Sequence, residues 1–429
     1  MTDTIFALSS GTPPAAIAIV RVSGPDADAA LTALTDHPLP APRHATLRTL
    51  TDPESAAPLD TALALRFPGP ASATGEDMVE LHLHGGRATV AAVQAALAHL
   101  PGLRAAEPGE FTRHAFENGR IDLSEAEGLA DLLRAETEVQ RRAALAMAEG
   151  GLSRRVEGWR HALLALSARA EAAIDFADED DVEPWPENER LAALAALSGE
   201  MAETLAAPPA ERLRDGVRVG IAGPPNAGKS TLLNALVARE AAIVSPIAGT
   251  TRDLIEAPVV LGGLPLLLID MAGLRDETGD AIERIGIDRA LKAIERCDLL
   301  LWLGSPGEAP EHSDLIGIAA KCDIHPPGPG DSRLCVAALT GEGMRELESG
   351  ILARASALLP AGDALALNMR QRTLLASAQQ GLDAAAATSD LLETAEHLRC
   401  CREEMDRLTG RAGTEAMLDA LFAQFCIGK

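Results

Sequence analysis

The sequence predicts a multidomain fold of α/β plus α type: an N-terminal α+β domain, a discontinuous helical domain, and an α/β domain with a mostly parallel sheet inserted into the helical one. Three observations predict it. Residues 1–118 mix short apolar runs with turns rich in proline and glycine. From residue 123 to about 207, and again from about 365 to 425, Ala, Leu, Glu and Arg dominate and apolar residues recur at helical spacing. Between those two stretches, apolar runs of strand length alternate with helical segments, the order expected of a parallel sheet with crossover helices.

In the N-terminal part the apolar runs at 16–22, 62–67 and 78–83 read as strands. The first helical stretch is broken mainly at Glu183-Pro184-Trp185-Pro186. In the insert, strands are expected at 217–222, 264–269, 298–303, 315–319 and 334–336, with helices starting at Lys229, Ile282 and Met344. Pro208-Pro209 and Leu359-Pro360-Ala361-Gly362 punctuate its two edges. The expected domains are therefore 1–118, a helical domain made of 119–213 and 358–429, and 214–357, with the two ends of the insert lying close together. A length of 429 residues fits roughly three domains at about 150 residues each.

Lys+Arg 38 against Asp+Glu 63 gives a net charge of -25, which argues against a general polyanion coat and confines any RNA contact to a local basic patch. The N-terminal residues lack a basic region followed by an apolar core, and no apolar stretch approaches about 18 residues. A cytoplasmic protein without membrane spans is expected. Six cysteines without C-x-x-C spacing build no zinc or disulfide framework.

Gly223-Pro224-Pro225-Asn226-Ala227-Gly228-Lys229-Ser230 fits G-x-x-x-x-G-K-[ST] between an apolar strand and a helix that continues with Thr231. Backbone N–H groups of such a loop curl around a β-phosphate, Lys229 neutralises phosphate charge, and Ser230 offers a hydroxyl to magnesium. A Ras-like P-loop fold is implied. Downstream, Thr251 in Gly249-Thr250-Thr251-Arg252-Asp253 can supply a second magnesium ligand. Asp270-Met271-Ala272-Gly273 follows a buried strand, so Asp270 should hold the metal through water and Gly273 approach the γ-phosphate. Lys321 and Asp323 follow the strand at 315–319, and a carboxylate there accepts from both N–H donors of guanine, which selects GTP. GTPases generally read N-K-x-D, whereas Ala320 stands at the first position. Loss of one ordinary hydrogen bond costs about 0.5–1.5 kcal/mol, up to roughly tenfold in affinity. Ala337-Ala338-Leu339-Thr340 also departs from the usual Ser-Ala-Lys base-packing loop. Leu274 follows Gly273 where Ras-like enzymes carry a water-positioning Gln. Glu283 is a candidate to orient the attacking water, and reads equally as a helix-start carboxylate favoured by the macrodipole.

Outside the P-loop module stand Thr74-Gly75-Glu76-Asp77 running to His84-Gly85-Gly86, Pro108-Gly109-Glu110-Phe111-Thr112 with Ala115-Phe116, Asp122-Leu123-Ser124-Glu125-Ala126-Glu127, and Phe425-Cys426-Ile427-Gly428-Lys429. With these four motifs the chain resembles the MnmE (TrmE) family of tRNA-modifying GTPases over almost its whole length. The resemblance implies a folate-binding N-terminal domain, a central helical domain, and an inserted GTPase that forms a homodimer across potassium rather than using an arginine finger. In the matching positions Asn226, Ser245, Ile247 and Thr250 would coordinate potassium, with Pro246 stiffening the loop that runs on through Ala248 and Gly249. The 5-formyltetrahydrofolate (or related tetrahydrofolate) site would involve Arg21, Glu80, Arg120 and Lys429. Two departures are Arg120 where the family usually has Lys, and Pro14-Ala15-Ala16-Ile17-Ala18 in place of a glycine-rich stretch. Cys426 reads as a reactive thiol or as a small residue packing the last helix. The implied activity is GTP hydrolysis coupled to installing an aminomethyl-type group at the five-position of the tRNA wobble uridine, with an FAD-dependent partner of the MnmG (GidA) type. The rival expectation is a GTP-dependent RNA or ribosome assembly switch without modification chemistry.

Overall fold

The computed structural model describes residues 3–175, 185–239, 255–271, 292–360, 364–412, 415–423 and 425–428. The chain divides into two compact units, residues 1–130 with 406–429, and residues 131–405.

The first unit is built on a six-stranded sheet of β1 (Thr4–Leu8), β2 (Ile17–Ser23), β3 (Thr46–Thr51), β4 (Pro58–Phe67), β5 (Met78–His84) and β6 (Leu103–Ala105), in the order β3-β4-β5-β2-β1-β6. The three apolar runs read from the sequence fall on β2, β4 and β5, while β1, β3 and β6 carried no such signal. Strand alternation sorts the two faces. Val20 and Val22 of β2, Leu81 and Leu83 of β5 and Phe6 of β1 bury against the helices Ala27–Thr35 and Arg87–His99. Arg21 and Glu80 point the other way and are direct cross-strand neighbours, and Arg21 also stands opposite Ala7. On that second face Ile5 and Ala7 pack against Phe111 of the helix Glu110–Glu117.

The last residues of the chain return to this unit. Ile427 bridges Pro108 in antiparallel fashion, and the Gly109 N–H donates to Cys426 O at 3.4 Å. Phe422, from the helix Glu415–Phe422, lies 6.2 Å from Phe116 between ring centroids. Two glycines permit this closeness: Gly109 (φ +71) and Gly428 (φ +97), where a Cβ would run into the carbonyl oxygens of Phe422 and Leu8 respectively.

The second unit holds helices Glu138–Ala148, Gly151–Asp175, Glu187–Ala206 and Met369–Ala387, and most of Leu391–Thr409. The predicted helical stretch is thus divided more finely than the proline break alone indicated. Thr137 and Gln140 close a capping box that starts one helix, and Asn368 and Gln371 another. Its sheet contains β7 (Val217–Ala222), β8 (Ile255–Leu261), β9 (Leu264–Asp270), β10 (Leu299–Trp302), β11 (Leu315–Ala320) and β12 (Leu334–Val336), in the order β12-β11-β10-β7-β9-β8. All neighbours are parallel except β8, which forms a hairpin with β9 across Gly262-Gly263. Central β10 is fully buried at Leu299, Leu300 and Leu301, as a parallel strand covered on both faces must be. The helices Lys229–Arg239 and Met344–Leu358 cover one face through Leu232, Leu236, Leu347 and Ile351. The chain enters and leaves the insert side by side, with the Ala210 N–H donating to Leu367 O at 2.9 Å and the Met369 N–H to Glu211 Oε1 at 2.7 Å. Among the described residues no helix is long and apolar enough to cross a membrane.

Candidate functional site

In the second unit the predicted nucleotide residues gather at one edge of the sheet because each follows the C-terminal end of a parallel strand. The phosphate loop follows β7, Asp270 ends β9, Lys321 and Asp323 follow β11, and residues 337–340 follow β12. Open parallel sheets bind ligands at that edge. Within the loop, Gly223 (φ +153), Asn226 (φ +60) and Gly228 (φ +101) take left-handed backbone, which turns successive N–H groups toward one point. The Lys229 ammonium, 8% exposed, donates to the carbonyls of Gly223 (3.0 Å) and Pro224 (2.9 Å), so the side chain lies along the loop it serves. Ser230 Oγ donates to Asp270 Oδ2 at 2.7 Å, and Asp270 is itself buried. Ala227, Gly228 and Thr231 complete the loop and the first helical turn. Met271, next to Asp270 in the candidate nucleotide motif, is buried in the apolar cluster of Ile269, Ile294, Cys297 and Leu300 on the other sheet face.

After β11, Lys321 (φ +58) donates from Nζ to Asn226 O at 2.7 Å, and its Cε lies 3.6 Å from the place where a Cβ of Gly228 would stand. This tether joins the turn after β11 to the loop 223–230, and the sequence reading missed it. Ala320, in the place of the usual Asn, packs with Ala227 and Ala338 against the apolar core, so that position carries packing rather than a polar link. Asp323 is exposed beside this turn, and Leu339 is exposed on the neighbouring loop. Burial, with a hydrogen bond that the thiol donates to Cys335, pushes Cys322 up from its ordinary value. Ser245, Pro246, Ile247, Ala248, Gly249, Thr250, Thr251, Ala272, Gly273 and Glu283 lie outside the described residues, as does Lys429.

In the first unit Arg21 and Glu80 form an ion pair, with Arg21 Nη2 and Nε 2.8 and 3.1 Å from Glu80 Oε1. The Arg21 guanidinium lies 5.6 Å from the Phe111 ring centroid. Arg120 is exposed in the turn after the helix Glu110–Glu117, its Cγ 3.2 Å from the position of a Cβ on Gly75. Cys426 is exposed on the returning tail. A buried polar network also missed from the sequence lies beneath them. His114 Nδ1 donates to Glu76 Oε2 at 2.9 Å, Ser23 Oγ donates to the same oxygen at 3.0 Å, and Ser23 Oγ and Thr74 Oγ1 are 2.7 Å apart. Burial raises the Glu76 carboxyl, but the His114 hydrogen bond and charge outweigh it and hold the group below its ordinary value. The signal was present: Thr74 and Glu76 belong to one of the quoted motifs, and Glu110, four residues before His114, to another.

Comparison with known proteins places this geometry. The family description "GTP-binding protein TrmE N-terminus" matches residues 4–120, and "MnmE helical domain" matches residues 123–426. A protein of Rhizorhabdus wittichii called tRNA modification GTPase MnmE is 59% identical, covering 100% of this chain and 97% of its own. Proteins of the same description from Novosphingobium aromaticivorans and a Methylobacterium species are 56% and 52% identical, each covering 100% of both chains. The solved G domain of the T. maritima FeoB iron transporter is 25% identical over 32% of this chain and 98% of its own, at a TM-score of 0.24, a similarity too slight to argue from. With two descriptions matching nearly end to end and relatives above half identity over full length, the chain belongs to the MnmE (TrmE) family of tRNA modification GTPases.

Proposed function

We propose that the chain binds GTP in the loop 223–230, reads its guanine through Asp323, and hydrolyses it in the service of tRNA wobble-uridine modification at the five-position. The observation that carries this is the convergence of Lys229, Ser230 and Asp270 at the end of β7 and β9, with the Ser230 hydroxyl and Asp270 carboxylate 2.7 Å apart. A hydroxyl and a carboxylate so placed fit a hard divalent cation with oxygen ligands. Magnesium, when bound, neutralises charge on the β- and γ-phosphates. The chain's own groups supply the rest: loop N–H groups cradle the phosphates, Lys229 balances their charge, and Lys321 ties the base-reading turn to that cradle. Gly273 at the γ-phosphate and Glu283 as the water-orienting carboxylate complete the proposed machinery, with Thr251 as second magnesium ligand.

The finer assignments rest on the family resemblance. The chain pairs with a second copy through its GTPase part, with potassium held by Asn226, Ser245, Ile247 and Thr250. The left-handed Asn226 beside the phosphates suits such a role. Residues 1–118 bind a tetrahydrofolate through Arg21, Glu80 and Arg120, joined by Lys429, and the Arg21–Glu80 pair offers one cationic and one anionic edge to a pterin and its glutamate tail. Residues 119–213 with 358–429 form the helical domain, and 214–357 the GTPase domain. An FAD-dependent partner of the MnmG type shares the chemistry on cytoplasmic tRNA, and Cys426 is the candidate thiol in that chemistry. The full-length likeness to tRNA modification GTPases favours this reading over an assembly switch.

Two measurements test it. Asp323→Asn should shift preference from GTP to xanthosine triphosphate, and unchanged GTP selectivity would show that another group reads the base. Wobble-base mass analysis of tRNA from cells lacking the protein should show the modification missing, and an intact modification would overturn the role.

A further inference from the structure

The helix Glu110–Glu117 and the turn after it meet two residues of the proposed folate site. Phe111 lies under Arg21, and Arg120 stands in the turn. Two hydrogen bonds fasten the loop of residues 72–77 to this helix and turn, His114 Nδ1 to Glu76 Oε2 at 2.9 Å and Asn118 Nδ2 to Thr74 O at 2.9 Å. The loop is pressed so closely that a Cβ on Gly75 (φ +82) would sit 2.7 Å from Asn118 Cβ and 3.2 Å from Arg120 Cγ. Only a residue without a side chain passes there.

His114 is the centre of this fastening and is 1% exposed. Its Nε2 has no hydrogen-bond partner among the described residues, and the nearest carboxylate oxygen, Glu110 Oε1, is 3.9 Å away. Glu110 is in turn held by Arg104 Nη1 at 3.0 Å and by the Glu107 N–H at 2.7 Å. A buried imidazole with one unsatisfied nitrogen between two carboxylates is a poor way to fill space, since an apolar side chain would avoid the desolvation cost. The side-chain hydrogen bond it makes that an apolar residue would not is the one to Glu76.

We infer that His114 is a positioning residue for the tetrahydrofolate site: acting through Glu76, it sets the loop 74–76 against Arg120 and so fixes the wall against which the folate packs. This rests on the folate reading given above. His114 itself touches no ligand.

The test is equilibrium binding of 5-formyltetrahydrofolate to the full chain, with thermal midpoints measured alongside. His114→Ala removes the donor to Glu76 and should weaken binding about tenfold or more, the size of a lost hydrogen bond to a charged group. His114→Asn places an amide N–H near the position of Nδ1 and should keep binding within roughly threefold of the original. If His114 only filled the core, both variants would lose affinity together and in step with the midpoint, and that result overturns the inference. So does His114→Ala binding as well as the unaltered chain. Absence of binding by the unaltered chain would instead overturn the folate reading, and this inference with it.

Discussion

Burial alone would raise the Glu110 carboxyl above its ordinary 4.5, yet the Arg104 fork and the Glu107 N–H outweigh it and the group is held below that value. A carboxyl depressed in the folded state contributes stability that is present above 4.5 and is lost as pH falls through its folded value. Glu110→Gln should therefore destabilise the chain at pH 7, and the gap to the unaltered protein should narrow as pH falls below 4.5. Urea unfolding followed from pH 7 to pH 3 measures it, and a gap constant across that range would show that Glu110 contributes nothing through its charge. At this scale the phosphate loop was legible because its chemistry admits few residue types: glycine where a left-handed backbone is needed, lysine and a hydroxyl where phosphate and metal must be met. The Lys321 bond to Asn226 was not legible, since a lysine reaching across 95 residues leaves no periodic trace. The His114 bond to Glu76, across 38 residues, left no periodic trace either, although Glu76 stands in one of the quoted motifs.

Among elements, strands with a clear apolar run announced themselves and those without one did not. β7, β9 and β11 read directly as continuous apolar runs. β8 escaped because Pro258 interrupts it, and proline belongs on an edge strand, which is where β8 lies. The Gly262-Gly263 pair between the runs 255–261 and 264–270 was the missed hairpin signal. Likewise the threonine and glutamine of the Thr137 capping box mark a helix start that the run of Ala and Leu around it obscured. The tail at 425–428 is held by the backbone bridge of Ile427 with Pro108 and by the buried Phe425 ring, and Gly428 makes the approach to Leu8 possible. Gly428→Ala forces a side chain onto left-handed backbone and into that carbonyl, at a cost of about 1–3 kcal/mol. Denaturant unfolding of the first unit should shift by that amount, and an unchanged midpoint would mean the tail contributes no stability there.

For the whole molecule, the prolines at 208–209 and 360 flank the stretch that carries the second sheet. The division after residue 130 was not legible, because the helix Leu123–Arg134 runs through it without a break in composition. If two copies meet across potassium, exchanging potassium for sodium at constant ionic strength should slow GTP hydrolysis roughly tenfold or more, the cation standing in for an arginine finger whose effect is larger still. Sedimentation with a transition-state analogue should show weaker pairing in sodium, and equal rates and equal association in the two salts would remove the cation from the mechanism. The acidic balance of 63 to 38 gives such a molecule little general attraction for tRNA, which is consistent with a partner bearing much of that surface. The adjacent entry and exit at Ala210 and Leu367 have a different bearing. A module whose two ends meet at one doorway can be grafted into a host, or deleted from it, in one recombination event, because the host's own chain resumes almost where it stopped.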